Sequence, residues 1–159
     1  MLRGLTARMN EVTENLLQEL LVRAEAESVY LCNRGGCILN TVSVNPSAQD
    51  DTIAALAAGS FFATREIALL VGEPEFRCVV HQGNRKGLFM QVTGQDLLLV
   101  VVFDGRTNPG LVKLYAAESC QALDDCFAAA TGEDEALAAS LQSVEVDPAA
   151  GFFAPRQER

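Results

Sequence analysis

Leu97-Leu98-Leu99-Val100-Val101-Val102-Phe103-Asp104-Gly105-Arg106-Thr107-Asn108-Pro109-Gly110 sets seven consecutive apolar residues before an acidic residue and a polar loop. A strand with one wet face alternates apolar and polar residues, so this run belongs mid-sheet with both faces covered. The loop then offers Asn108 as an N-cap with Pro109 at the first helical position, and a helix follows at once. Nothing in the stretch is chemically reactive, which leans against an enzyme.

Upstream of this run, Gly94-Gln95 has the glycine-first pattern of a type II′ hairpin turn and joins it to a strand over Gly87 to Thr93. The longer basic loop Gln82 to Lys86 leads back to a strand over Phe76 to His81. Downstream, the helix runs from Pro109 to about Ala130, burying Leu111, Leu114, Tyr115, Leu123, Cys126 and Phe127, and Gly132 ends it. A short acidic helix and a flexible tail complete residues 133–159.

The N-terminal third repeats the theme. Leu5, Met9, Val12, Leu16, Leu17, Leu20, Leu21 and Ala24 recur at steps of three and four among charged residues, which is an amphipathic helix. A hairpin follows, Ser28 to Cys32 and Cys37 to Val42, turning over Arg34-Gly35-Gly36. After a polar loop, Asp50 or Asp51 caps a second helix, about Thr52 to Val71, which Gly72 and Pro74 stop.

That helix is apolar nearly all round, with enough for two stripes. Ile53, Leu56, Phe61 and Leu70 are expected to face the domain's own sheet. Ala55, Ala58, Gly59, Phe62 and Leu69 are then left over, either as an intermolecular surface or as part of a fully buried helix; the shallow depth of so small a domain favours the first. The element order predicts an α/β (α+β) domain over residues 1–132, α-β-β-α-β-β-β-α, with a mainly antiparallel five-stranded sheet.

Composition narrows the function. With 12 basic against 21 acidic residues the net charge is −9, which argues against nucleic acid and against docking on an anionic membrane. No apolar stretch approaches the roughly 20 residues of a membrane span, and the N-terminus turns polar before a signal-peptide core forms, so a cytoplasmic location is expected. Five cysteines without a secretion signal read as free thiols; Cys32 and Cys37 face each other across the hairpin, but the second half of a metal site is missing. No cofactor motif is present: neither a P-loop nor a dinucleotide fingerprint occurs. His81, at a strand end, reads as a solvated or hydrogen-bonded residue rather than a base. Asp104 reads as an acceptor for loop N–H groups rather than a catalytic carboxylate. Asp124-Asp125 and Glu133-Asp134-Glu135 read as solvated helix faces, and Arg106 alone is weak support for a phosphate site.

The ensemble resembles the Roadblock/dynein light chain superfamily, a profilin- and longin-like sandwich, and in particular its bacterial MglB branch. The residues that carry the resemblance are Asn33-Arg34-Gly35-Gly36, Leu56-Ala57-Ala58-Gly59, Leu70-Val71-Gly72-Glu73 with Phe76, His81-Gln82-Gly83, and Phe103-Asp104 through Arg106-Thr107 to Gly110-Leu111-Val112-Lys113-Leu114. The resemblance implies a homodimer formed through the sheet edge and the second helix. It also implies a Ras-like GTPase partner of the MglA type, whose GTP hydrolysis is stimulated through the GTPase's own active site, so the chain itself is not an enzyme and has no catalytic residues. It implies Ala55, Ala58, Gly59, Phe62, Arg65 and Glu66 as partner-facing positions. Phe61-Phe62 departs from the small residues common there: either the pocket on the GTPase differs, or Phe62 packs in the dimer.

The alternatives are a scaffold that tethers a GTPase or other partner without changing nucleotide turnover, and a small-molecule sensor, which the scarcity of buried polar residues disfavours. In the tail, Phe152-Phe153 with Pro155 and Arg156 reads as a disordered end or a docking motif that orders on binding.

Overall fold

A computed structural model describes residues 7–142. They form α1 (Ala7–Arg23), β1 (Ala26–Cys32), β2 (Ile38–Ser43), α2 (Asp50–Val71), β3 (Cys78–Gln82), β4 (Lys86–Val92), β5 (Leu98–Asp104) and α3 (Pro109–Gln142). The chain divides into two compact units, Met1–Phe127 and Ala128–Arg159. The first holds the sheet. In the second, the described residues continue α3. The tail motif at Phe152-Phe153 lies outside the described residues.

The five strands form one sheet in the order β2-β1-β5-β4-β3, every neighbouring pair antiparallel. The apolar run is therefore the central strand, as its lack of alternation requires. Leu97, Leu99, Val101 and Phe103 join α1 and α3 in one core; Leu98, Val100 and Val102 meet α2 in the other. β1 divides the same way, Val29 and Leu31 on the first side, Tyr30 and Cys32 on the second. β2 and β3 are the two edges.

Local chemistry sets the boundaries. Gly110 N–H donates to Asn108 Oδ1 at 2.8 Å, so the cap that starts α3 is the expected one. Arg106 N–H donates to Asp104 Oδ1 at 2.9 Å and Arg106 Nε to the same oxygen at 3.0 Å, which holds the Asp104 carboxyl below the usual carboxylate range. Gly72, at φ 88°, closes α2, and Glu73 N–H reaches back to the Ala68 carbonyl at 2.8 Å.

Several expectations are corrected. Neither Asp50 nor Asp51 is the N-cap of α2. Gln49 takes that position without a side-chain cap, while Asp50 accepts from Ser47 N–H at 3.0 Å and from the Tyr30 hydroxyl at 2.9 Å. The β4–β5 turn is not type II′: Thr93 N–H bonds Leu97 O, and the left-handed residue is Asp96, at φ 60°. This is a three-residue loop. Asp124 is not merely solvated, because its carboxylate accepts from Gly94 N–H at 2.9 Å and ties α3 to that turn.

Gly132 does not end α3, which runs on to Gln142. One glycine costs a helix interior only about 1 kcal/mol, too little to stop it unaided. The inward face of α3 is Val112, Ala116, Cys120, Leu123 and Phe127, with Leu111 and Leu114 turned out. Val12 of α1 is also partly exposed. Finally, α2 is by length and composition long and apolar enough to cross a membrane, with a mean hydropathy of 1.5 over its most apolar window, where no such stretch was expected. Here one side of it packs on the sheet.

Candidate functional site: the faces of helix α2

The inward face of α2 is Ala54, Ala57, Ala58, Phe61 and Ala68. Four alanines let the helix backbone lie close to the sheet, and Phe61, fully buried, fills the space among Tyr30, Met90, Leu98 and Val100. Leu56 and Leu70, expected inside, are instead 70% and 86% exposed. Packing distance decides this: the small side chains fit under the helix and the large ones do not.

The opposite side is then a continuous apolar stripe. Leu56, Gly59, Ala63, Ile67 and Leu70 follow one another at three- and four-residue steps, all exposed. Leu69 and Val71 extend it at 61% and 65% exposed.

Of the six anticipated partner-facing residues, Ala55, Gly59 and Glu66 are exposed, and Phe62 and Arg65 are half-buried. Ala58 differs: it is 1% exposed and belongs to the packing on the sheet, so it offers no surface. The Asn33–Gly36 turn presses on the helix beside Ala55. Its Gly36, at φ 79°, comes so close that a Cβ there would lie 2.4 Å from Ala55 Cα. Asn33 shapes the turn by accepting from the N–H groups of Gly35 and Cys37, at 2.9 and 3.0 Å.

Around Phe62 the structure assembles a group that sequence reading did not find. The guanidinium carbons of Arg34 and Arg65 lie 5.3 and 5.4 Å from its ring centre. Phe61 meets it edge-on at 5.5 Å. Arg34 pairs with Asp96 at 3.0 Å; Arg65 pairs with Glu75 at 3.0 Å and with Asp96 at 3.6 Å. These residues come from the β1–β2 turn, α2, the segment before β3 and the β4–β5 turn. No local signal links Arg34 to Asp96; only the sheet order brings the two turns to the same end.

Elsewhere the chemistry is quiet. A shallow cleft of about 390 Å³ opens by Glu25, Asp104, Arg106 and Thr107, with Arg106 paired to Asp104. Cys32 and Cys120 are buried thiols, pushed up to about 11 and about 12 by desolvation, and so poor nucleophiles. All five cysteines are free, and among the described residues no group of three His, Cys, Asp or Glu is placed to hold a metal. His81 stands exposed on the edge strand β3.

The architecture is that of a small α/β domain with one helix face left apolar, and the Roadblock/LC7 domain model matches residues 12–103. The chain belongs to the Roadblock/LC7 family. Within it the chain is MglB-like. It is similar to the gliding protein MglB of Thermus thermophilus, with 34% identity over 77% of this chain and 93% of that one and a TM-score of 0.72. It is similar to MglB of Myxococcus xanthus at 30% identity, over 74% and 95% of the two chains, with a TM-score of 0.69. An MglB solved in a tetrameric arrangement matches at 33% identity, over 77% and 93%, with a TM-score of 0.73. Among curated sequences no match is found.

Proposed function

We propose that this chain is a homodimeric, cytoplasmic regulator of a Ras-like small GTPase of the MglA type, which binds the GTP state and stimulates hydrolysis through the GTPase's own active site. The observation that carries the reading is the outer face of α2. A stripe holding Leu56, Ile67 and Leu70, at 70%, 54% and 86% exposed, is costly to leave in water. The edge of β3, with which no other described strand pairs, is a second surface that a copy of the chain can cover by extending the sheet.

Gly59 supports the same conclusion. Among the described residues, no atom beyond the neighbouring turns of the helix lies within 4 Å of where its Cβ would be, so no packing contact there calls for glycine. Alanine would favour the helix by up to about 1 kcal/mol. A second helix approaching backbone to backbone supplies the reason. The family resemblance adds the GTPase, which we place on the flank of α2 carrying Ala55, Gly59, Phe62, Arg65 and Glu66. A regulator of this type needs a preformed surface and works by differential affinity for the states of its partner.

The test is single-turnover GTP hydrolysis by the MglA-type GTPase of the same organism, with and without this chain, beside pull-downs in both nucleotide states. Faster hydrolysis with GTP-selective binding is expected. Binding without faster hydrolysis refutes activation and leaves a tether; no binding refutes the GTPase partner.

A further inference from the structure

The cluster over Phe62 is built like a binding anchor. Two guanidiniums bring about five N–H donors each, and among the described residues three N···O contacts, to Asp96 and Glu75, occupy them. Donors therefore outnumber the bonds the described residues supply. The Arg34 side chain is 53% exposed, so its remaining donors reach solvent over an aromatic ring. The ion pairs also fix both arginines before anything binds, which removes much of the side-chain ordering cost of an interface. Arginine and large aromatic residues in such preorganised settings carry much of the energy of protein interfaces.

We infer that Arg34, Phe62 and Arg65 form the anchor of the partner-binding surface and that it receives a carboxylate-bearing side chain of the partner protein. This rests on the regulator reading above. The unspent groups of the two arginines are all donors, so what these two side chains receive is an acceptor. A protein carboxylate, rather than a free anion, fits because the cluster runs directly into exposed, uncharged Ala55 and Gly59, which a small anion would not touch. The planar guanidinium donates two parallel hydrogen bonds to a carboxylate while it stays beside the Phe62 ring.

The experiment measures affinity for the same organism's MglA-type GTPase, loaded with a non-hydrolysable GTP analogue, by calorimetry. It compares the full chain with Arg34→Ala, Arg34→Lys, Phe62→Leu and Lys113→Ala, and light scattering reports the oligomeric state of each. Arg34→Ala and Phe62→Leu are expected to weaken binding roughly 10- to 100-fold with the oligomer intact. Arg34→Lys should restore little, because an ammonium neither stacks nor bonds in parallel. Lys113→Ala removes the same charge elsewhere and should leave affinity unchanged. Wild-type affinity in Arg34→Ala and Phe62→Leu overturns the anchor while leaving the GTPase partner in place. Loss of the oligomer instead assigns the cluster to self-association and overturns it too. Competition by micromolar inorganic phosphate would show a free-anion site and overturn it. No binding by the wild-type chain removes the partner and the anchor together.

Discussion

Replacing Gly36 with alanine tests how tightly the β1–β2 turn seats on α2. Two separable costs apply. A residue with a Cβ held at φ 79° loses about 1–2 kcal/mol in the left-handed region. The new methyl would also lie 2.4 Å from Ala55 Cα, 3.1 Å from Ala55 N and 3.2 Å from Ala54 O, all backbone atoms of a packed helix that cannot swing aside. Overpacking of this kind costs about 1–3 kcal/mol, so the sum is about 2–5 kcal/mol. Gly72 is the internal control: its φ is 88°, but among the described residues no atom beyond its chain neighbours lies within 4 Å of its Cβ position, so Gly72→Ala carries the conformational cost alone. With a denaturant slope of about 2 kcal/mol/M, urea midpoints should fall by roughly 1–2.5 M for Gly36→Ala and 0.5–1 M for Gly72→Ala. Both variants must be compared at one protein concentration, since self-association adds to apparent stability. Equal losses in the two variants would refute the close approach of turn and helix, and with it the placement of Arg34 over Phe62.

Ile67→Asp puts a charge into the outer stripe of α2 without touching its inward face; light scattering should show a shift toward monomer with the far-ultraviolet spectrum retained. Gly59→Ala should raise the stability of the isolated chain by up to about 1 kcal/mol while weakening binding of the GTPase, and stabilisation with unchanged binding would remove the close helix approach as its explanation. Among the described residues Thr13 Oγ1 is buried without a hydrogen-bond partner, so Thr13→Val should stabilise by about 1 kcal/mol in thermal unfolding. Asp104 has its pKa lowered in the fold, chiefly by the Arg106 side chain. Its contribution is present above the unfolded value near 3.9 and is lost as pH falls through the folded one. The stability gap between wild type and Asp104→Asn should therefore be full at pH 7 and close below pH 4.

The central strand, the start of α3 and the role of Asp104 were legible because each rests on a few adjacent residues. Seven apolar residues without alternation have one place in a sheet, and an Asn-Pro pair has one place at a helix start. The MglB-like motifs were legible for a similar reason, being short runs at fixed spacing. The facing of α2 was not. A helix apolar on every side gives no phase, and ranking residues by hydrophobicity put Leu56 and Leu70 inside when alanines belong there. The same error misplaced Leu111 and Leu114 of α3, where Val112, Ala116 and Cys120 go in.

The sequence by itself determined the order of elements, the antiparallel sheet, the family and the existence of surplus apolar surface on α2. Those follow from periodicity, turn chemistry and local motifs, all short-range. Only the tertiary structure decided which side of α2 is free and which residues stand together over Phe62. Helix facing depends on how close a backbone can approach a sheet, and the Arg34–Asp96 pair depends on two turns that meet only once β1 pairs with β5, far apart in sequence. Both are properties of the packed whole.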